Sequence, residues 1–184
     1  MKRLFDISAA LVSLVIFAPV LVIVAVLIRL DTPGPVVFRQ KRVGLNGKAF
    51  EILKFRSMVT DAATRGPHFT SANDPRITRV GALLRRTSLD ELPQLINVLT
   101  GDMSVVGPRP NVPAQRAEYT SAEWGQRNKV RPGITGLAQA TKRSTATPEE
   151  RTRLDLEYVE KSSFLFDIKI ILMTIKQIAT RGGN

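Results

Sequence analysis

The sequence predicts an α+β fold that is mainly helical and begins with a membrane segment. An apolar run over 7–28, flanked by basic residues, predicts the membrane segment. Two short strand-like runs on either side of Gly44–Gly47 predict a small β-hairpin. Apolar residues at helical spacing fill much of the remainder. We therefore expect residues 1–30 to form a membrane element. Residues 31–184 should form a cytosol-facing domain, held on the membrane surface by amphipathic interfacial helices.

The composition restricts both the partners and the chemistry. The chain carries 27 Lys and Arg against 16 Asp and Glu, a net charge of +11, which indicates an anionic partner. Nucleic acid, an anionic membrane surface and a phosphorylated substrate all satisfy that condition. The chain has no cysteine, and His68 is its only histidine, which disfavours a Ser-His-Asp triad or a histidine metal site. Any catalytic chemistry is therefore expected to depend on carboxylates.

The apolar run over 7–28 could cross a bilayer, because 22 residues at ~1.5 Å each reach about 33 Å. However, Pro19 lies near its middle, where a proline removes a backbone hydrogen bond and bends a helix. Basic residues also flank the run on both sides, which places both ends in the cytoplasm by the positive-inside rule. We therefore favour a re-entrant helix–break–helix with the break at Ala18 and Pro19. A single span and a cleaved signal peptide are the alternatives.

The predicted hairpin pairs the runs at 36–38 and 50–53 within a strongly basic region. Lys54 and Arg56 alternate about Phe55, so on a strand they point to the same face. Two cations on one face could bind a diphosphate. Alternatively, this region is a basic surface that lies on anionic lipid headgroups.

Two adjacent carboxylates, Asp90 and Glu91, form the centre of the chain's most distinctive stretch. Ser88 followed by Glu91 matches the capping-box pattern, which predicts a helix from this point to about Leu99. Both carboxylates would then lie at the positive end of a helix, where their ionised forms are favoured. A preceding helix over 77–86 brings Arg85 close by. The simplest alternative is that the two carboxylates only cap the helix.

The segment Gly107-Pro108-Arg109-Pro110 predicts a loop of fixed shape. Arg109 between two prolines has little freedom, so its guanidinium could be held in place to bind phosphate. The alternative is a rigid surface turn.

The C-terminal half is predicted to contain three helices. The first covers 113–128, and Pro132-Gly133 beyond it has the composition of a type II turn. A second helix starts at the capping sequence Thr147–Glu150 and carries Asp155. The last runs over 165–178 and is either a core helix or an interfacial one, with Asp167 on its polar side.

Taken together, these motifs resemble the bacterial sugar transferase family of monotopic phosphoglycosyl transferases. The resemblance covers nearly the whole chain, and several motifs in fixed order make it specific. The chain resembles the minimal catalytic form, without the additional N-terminal membrane domain of larger members. The matching residues are Lys2-Arg3, Asp6, Pro19, Gly34-Pro35, Lys54–Met58, Asp74–Arg76, Leu84-Arg85, Ser88–Leu95, Gly107–Pro110, Pro132–Gly136, Asp155 and Tyr158.

The resemblance implies a reaction and a place for it. The donor is usually a UDP-sugar, the acceptor is typically undecaprenyl phosphate, and UMP leaves. Asp90 is implied to be the nucleophile that forms a covalent phosphosugar intermediate, with Glu91 as its partner and Mg²⁺ bound by both. Lys54, Arg56, Arg85 and Arg109 are our candidates for binding substrate phosphates, and Asp155 is a further candidate.

The implied location is the cytoplasmic face of the bacterial inner membrane, with membrane lipids as further partners. The re-entrant helix of the family agrees with the charge argument given above. The sequence reveals neither the sugar, nor the pathway, nor whether the chain forms a homo-oligomer.

Two departures from the family pattern affect these expectations. Many members have serine where this chain has Ala18, so any role of that hydroxyl in the break is lost. Members often continue after Gln139 with an Asn-Gly-Arg segment, whereas this chain has a different sequence over 140–144. Donor identity therefore does not carry over from that region.

Two other functions fit parts of the sequence. A membrane-tethered basic binding module would use its charge to hold anionic ligands, with strongly salt-dependent binding and indifference to Asp90→Asn. A magnesium-dependent nucleotide-sugar hydrolase would release UMP without a lipid acceptor. Nucleic acid is the weaker partner, because aromatic residues are few and no nucleic-acid motif is present.

Overall fold

A computed structural model describes residues 1–66, 74–142 and 145–181. The described part of the chain is mostly helical (61%), as the sequence predicts. The helices are α1 (Lys2–Asp31), α2 (Ala62–Arg65), α3 (Arg79–Thr87), α4 (Gln94–Thr100), α5 (Ser121–Arg127), α6 (Leu137–Thr141), α7 (Pro148–Lys161) and α8 (Phe164–Arg181). The strands are β1 (Val37–Val43), β2 (Ala49–Phe55), β3 (Ser104–Val106) and β4 (Gly133–Thr135). Three 3₁₀ segments cover Leu45–Gly47, Leu89–Glu91 and Pro113–Glu118.

Helix α1 contains the predicted membrane segment and is long and apolar enough to cross a bilayer. The helical assignment continues through Ala18 and Pro19, so the structure does not divide this segment into two separate helices. Its buried residues lie only towards its two ends: Asp6 and Ala10 near the start, Val24 and Ile28 near the end. Between these pairs the helix presents large apolar side chains to the surroundings.

The predicted hairpin is confirmed. Strands β1 and β2 pair antiparallel, with Val37 opposite Phe55 and Val43 opposite Ala49. The connecting turn at Leu45–Gly47 includes Asn46 with a positive φ of 54°. Arg56 follows the last residue of β2, and its backbone N–H donates to the carbonyl of Val36.

A second, parallel pair of strands brings the Arg109 loop against the C-terminal half. Strand β3 pairs with β4, so that Ser104 lies opposite Gly133 and Val106 opposite Thr135. The predicted type II turn at Pro132-Gly133 is therefore wrong, because Gly133 begins a strand. Gly107 and Gly133 approach so closely that a Cβ on Gly133 would lie 2.1 Å from the Gly107 nitrogen. Only glycine fits at such a contact.

The C-terminal helices follow the prediction with two corrections. Helix α7 begins as expected, because Thr147 and Glu150 form a capping box. The single helix predicted over 113–128 is instead a 3₁₀ segment followed by α5, which has its own cap at Thr120. Asp167 lies on the buried side of α8, not on a polar surface, because it accepts hydrogen bonds from Lys2 and Tyr158. Large apolar residues of α8, such as Leu165 and Leu172, remain exposed.

Three apolar clusters form the core, and two of them include α1. Ala10 packs with Ile52, Leu95, Val98 and Met103. The other end of α1 contributes to the cluster of Val24, Ile28, Phe55 and Leu84. The third cluster joins Val106 with α6, α7 and α8. The two ends of the apolar helix thus pack against the same domain.

Candidate active site

Asp90 and Glu91 lie on the 3₁₀ turn Leu89–Glu91, between α3 and α4. The capping box predicted from Ser88 is wrong. Ser88 ends α3 with a left-handed backbone, at φ 58°, and its side chain makes no capping hydrogen bond. Helix α4 starts only after Pro93 and ends at Thr100, before Gly101, close to the predicted end. The carboxylates therefore belong to a tight turn between two helices.

Glu91 is held by two cations at a single oxygen. Lys54 Nζ donates to Glu91 Oε1 at 2.6 Å, and Arg109 Nη2 donates to the same oxygen at 2.7 Å. The Lys54 and Glu91 side chains are each 17% exposed, whereas Arg109 is 44% exposed. Burial opposes the ionisation of Glu91, but Arg109 and Lys54 overcome it and hold the pKa of Glu91 far below its usual value. Glu91 is therefore a stable anion that orders two cations.

Asp90 has the opposite environment. Burial raises the pKa of Asp90, and the nearby Glu91 adds to this rise, while Lys54, Arg85 and Arg109 oppose it from a distance. No hydrogen bond from the described residues reaches its carboxylate, although the residue is only 8% exposed. A buried carboxylate that accepts no hydrogen bond from the described residues, with cations near it, has the properties of a nucleophile or a metal ligand.

The structure brings Lys54, Arg85 and Arg109 to the two carboxylates, but not Arg56. Arg56 is 5% exposed and donates to the carbonyls of Pro33 and Thr32, just beyond the end of α1. These contacts explain its burial, because they satisfy carbonyls at a helix C-terminus. Arg56 therefore secures the end of α1, and our expectation that it binds substrate phosphate stays an untested prediction.

Arg42 is a residue near the site that sequence reasoning missed. It lies on β1, donates to the carbonyl of Pro110 at 2.9 Å, and also contacts Gln40. Burial and the charge of Arg109 lower the pKa of Arg42 to about 10, while Glu91 opposes this change. Its place in the basic run over 39–42 concealed it, because neighbouring positions on a strand point to opposite faces.

Asp155 does not face the phosphate site. It is 2% exposed and accepts from Nε of Arg127 at 2.9 Å, and Nη2 of Arg127 lies 2.9 Å from the same carboxylate oxygen in an ion pair. Burial raises the pKa of Asp155, and Arg127 opposes that change. Nη2 of Arg127 also donates to the carbonyl of Arg109. Asp155 thus contacts the Arg109 loop through Arg127, and our assignment of Asp155 to substrate binding stays an untested prediction.

The two carboxylates could bind a magnesium ion whose other ligands come from the substrate and water. No group of three or more His, Asp or Glu suited to a metal occurs in the described part of the chain. Mg²⁺ is commonly bound by one or two carboxylates together with phosphate oxygens and water. Asp90 and the second oxygen of Glu91 accept no hydrogen bond from the described residues, so both could serve as such ligands.

Comparison with known proteins gives consistent relatives. The family described as bacterial sugar transferase matches residues 1–181. An exopolysaccharide production protein of Rhizobium leguminosarum is 50% identical over 99% of this chain and 96% of its own length. The UDP-glucose:undecaprenyl-phosphate glucose-1-phosphate transferase of Escherichia coli is 47% identical over 95% of this chain. An undecaprenyl-phosphate N-acetylgalactosaminephosphotransferase of Aeromonas hydrophila is 41% identical over 99% of this chain.

The extent of these matches differs between relatives. The chain spans only 39% of the E. coli protein and 44% of the A. hydrophila protein, but nearly all of the R. leguminosarum protein. The part shared by all three therefore includes α1, the carboxylate turn and the Arg109 loop. On the family match and these identities, the chain belongs to the bacterial sugar transferase family.

Proposed function

We propose that this chain transfers a sugar 1-phosphate from a UDP-sugar to undecaprenyl phosphate through a covalent intermediate on Asp90. The names of its relatives support the donor and acceptor classes. The observation that carries the proposal is the pair of opposite environments at adjacent carboxylates. Glu91 is neutralised by two cations, whereas Asp90 is buried and accepts no hydrogen bond from the part of the chain that the structure describes, which leaves its carboxylate available to attack.

The reaction would proceed in two displacements at one phosphorus. A carboxylate oxygen of Asp90 attacks the phosphorus that carries the sugar, and the bond to the bridging diphosphate oxygen breaks. UMP leaves with that oxygen and its electron pair. An oxygen of undecaprenyl phosphate then attacks the same phosphorus and frees the Asp90 carboxylate. Two displacements let a water-soluble donor and a lipid acceptor use one site in turn.

The cations would reduce the repulsion between an anionic nucleophile and an anionic diphosphate. Arg109 is partly exposed beside Glu91, so its remaining N–H groups could bind donor phosphate. Lys54 is more enclosed and would stabilise charge that develops on the leaving phosphate. Magnesium bound by Asp90 and Glu91 would neutralise diphosphate charge. Arg85 lies close enough to Asp90 to act on its charge.

We further propose that α1 enters the cytoplasmic leaflet of the inner membrane and returns to the same side. Both ends of α1 are bound to the domain that carries Asp90. At the start, Asp6 Oδ1 accepts from Ser104 Oγ and the Val105 N–H, each at 3.0 Å. At the end, Asp31 accepts from the Val80 N–H at 3.2 Å. A straight 30-residue helix would separate its ends by about 45 Å, so a bend at Pro19 explains these contacts more simply.

The reaction is tested by UMP release from the detergent-solubilised protein with Mg²⁺, undecaprenyl phosphate and a panel of UDP-sugars. Relatives act on glucose and on N-acetylgalactosamine donors, so both belong in the panel. We expect repeated UMP release to depend on lipid and to be abolished by Asp90→Asn. Incubation without acceptor should release one UMP per enzyme and add the mass of one phosphosugar to the wild-type protein but not to Asp90→Asn. Repeated release without lipid, well beyond one equivalent per enzyme, would indicate a hydrolase. Absence of both release and adduct with every donor would contradict the proposal.

The membrane topology is tested by labelling single cysteines, because the natural chain has none. Ser8→Cys and Arg29→Cys should both react with an impermeant thiol reagent from the cytoplasmic side. Val15→Cys, in the exposed apolar middle of α1, should be shielded by lipid. Labelling of Ser8→Cys and Arg29→Cys from opposite sides would exclude a re-entrant helix.

A further inference from the structure

The loop that carries Arg109 is held through its backbone carbonyls. Four consecutive carbonyls accept hydrogen bonds from three different elements or their flanks. The Gly133 N–H donates to Pro108 at 3.0 Å, and the Val43 N–H donates to Asn111 at 2.9 Å. The other two donors are side chains: Arg127 binds the carbonyl of Arg109, and Arg42 binds that of Pro110 at 2.9 Å. Each of these four carbonyls, from Pro108 to Asn111, thus has a distinct donor.

The prolines explain why the loop needs these donors. Pro108 and Pro110 have no N–H, so the loop cannot form a regular hydrogen-bond ladder of its own. Pro108, Pro110 and Asn111 are nevertheless buried, and buried carbonyls without donors are costly. Arg127 is itself 2% exposed and is oriented by the Asp155 carboxylate. The backbone beneath Arg109 is therefore fixed, while its side chain projects towards Glu91.

We propose that Arg127 and Arg42 are positioning residues, which hold the backbone of Arg109 so that its guanidinium meets Glu91 and the donor phosphate. The inference rests on the proposed function for its kinetic consequences. Guanidinium geometry is important here, because one Arg127 side chain must reach Asp155 and the Arg109 carbonyl together. A lysine ammonium in the same place keeps the positive charge but loses the contact with either Asp155 or the Arg109 carbonyl. Arg→Lys substitutions therefore separate position from charge.

The test is a double-mutant cycle. Arg127→Lys should lower kcat roughly 10- to 100-fold, the size expected when a catalytic group is displaced by about 1 Å. The matched control is Arg116→Lys, because Arg116 also donates to a backbone carbonyl, that of Tyr119, at 2.9 Å, outside this loop. Arg116→Lys should change kcat less than about 2-fold. In an Arg109→Ala background, Arg127→Lys should have no comparable further effect, since it acts through Arg109.

A second variant and a measurement that needs no activity allow the inference to be tested in every case. If Arg127→Lys does not fold, the half-buried Arg42→Lys provides the same cycle through the Pro110 carbonyl. Amide hydrogen exchange of the peptide over 105–112 should accelerate in either variant, but not in Arg116→Lys, and this readout needs no activity. Equal losses of kcat with and without Arg109, or unchanged exchange in the loop, would overturn the inference. A wild-type protein without transfer activity would instead refute the proposed function and leave the exchange test valid.

Discussion

Asp90→Asn and Glu91→Gln should both stop transfer but change stability in opposite directions. Burial raises the pKa of Asp90, so the folded state binds its proton more tightly than the unfolded chain does. At a pH above the pKa of Asp90 in both states, the folded state therefore carries the full cost of the buried charge. Asparagine removes that charge, and no hydrogen bond from the described residues is lost. We expect Asp90→Asn to raise the free energy of unfolding by about 0.5–2 kcal/mol, as other single stabilising substitutions do.

Glu91→Gln removes the anion that Lys54 and Arg109 share. Each charge-assisted hydrogen bond contributes about 1.5 kcal/mol at the low end of its range, a suitable value because Arg109 is 44% exposed. The glutamine oxygen can still accept one weaker hydrogen bond, so a net loss of about 2 kcal/mol is expected. For a chain of this size, that corresponds to a decrease in Tm of about 4–8 °C.

The assay is urea or thermal unfolding in one detergent, followed by the fluorescence of Trp124, the only tryptophan of the chain. Both variants are compared with wild type at the same pH and magnesium concentration. A destabilised Asp90→Asn variant would show that Asp90 has favourable contacts in the fold. Glu91→Gln with wild-type stability would show that Lys54, Glu91 and Arg109 do not form the cluster described above. Either result refutes the division of roles between the two carboxylates.

Three further predictions concern pH, capping and the base of α1. Transfer should decrease as the pH falls, because a protonated Asp90 cannot attack. The charge of Lys54 lowers the pKa of Asp90, so Lys54→Met should shift this decrease to higher pH at saturating magnesium. An unshifted pH profile would argue against coupling between Lys54 and Asp90. Thr147→Ala should cost about 1 kcal/mol in urea unfolding through loss of a real cap. Ser88→Gly should instead stabilise by up to about 1 kcal/mol, because φ is positive there, and a loss would restore the capping interpretation. Asp6→Ala leaves two donors at the start of β3 unpaired and should cost on the order of 2 kcal/mol by the same assay; full stability would mean that α1 is not anchored there.

Local sequence rules succeeded where the flanking residues agreed with them. Thr147 and Ser88 both precede a glutamate by three residues, yet only Thr147 caps a helix. After Thr147 the proline occupies the first helical position, which a helix tolerates. Pro93 instead comes five residues after Ser88, too late for a first turn, and it forces the helix to begin beyond it. The position of the proline was the signal that distinguishes the two cases.

Long-range contacts account for the other differences. Lys54 and Arg56 have the same spacing as any two same-face residues of a strand, but β2 ends between them. Arg56 then binds the end of α1, a partner that is 24 residues away in sequence and invisible to local patterns. Likewise, nothing near Asp155 predicts Arg127, whose contact depends on the packing of α5 against α7. The motif order identified the family, whereas the partner of each charge required the fold.

The adjacency of Asp90 and Glu91 is itself part of the explanation for their different roles. On a 3₁₀ turn, with about three residues per turn, consecutive side chains point about 120° apart. Two neighbours on such a turn therefore need not make the same contacts. Glu91 contacts the cations from β2 and the Arg109 loop, whereas Asp90 accepts no hydrogen bond from the described residues. A continuous helix starting at Ser88 would satisfy backbone groups equally well. The short turn between α3 and α4 is thus the local feature that lets Glu91 bind the two cations while Asp90 remains available for chemistry.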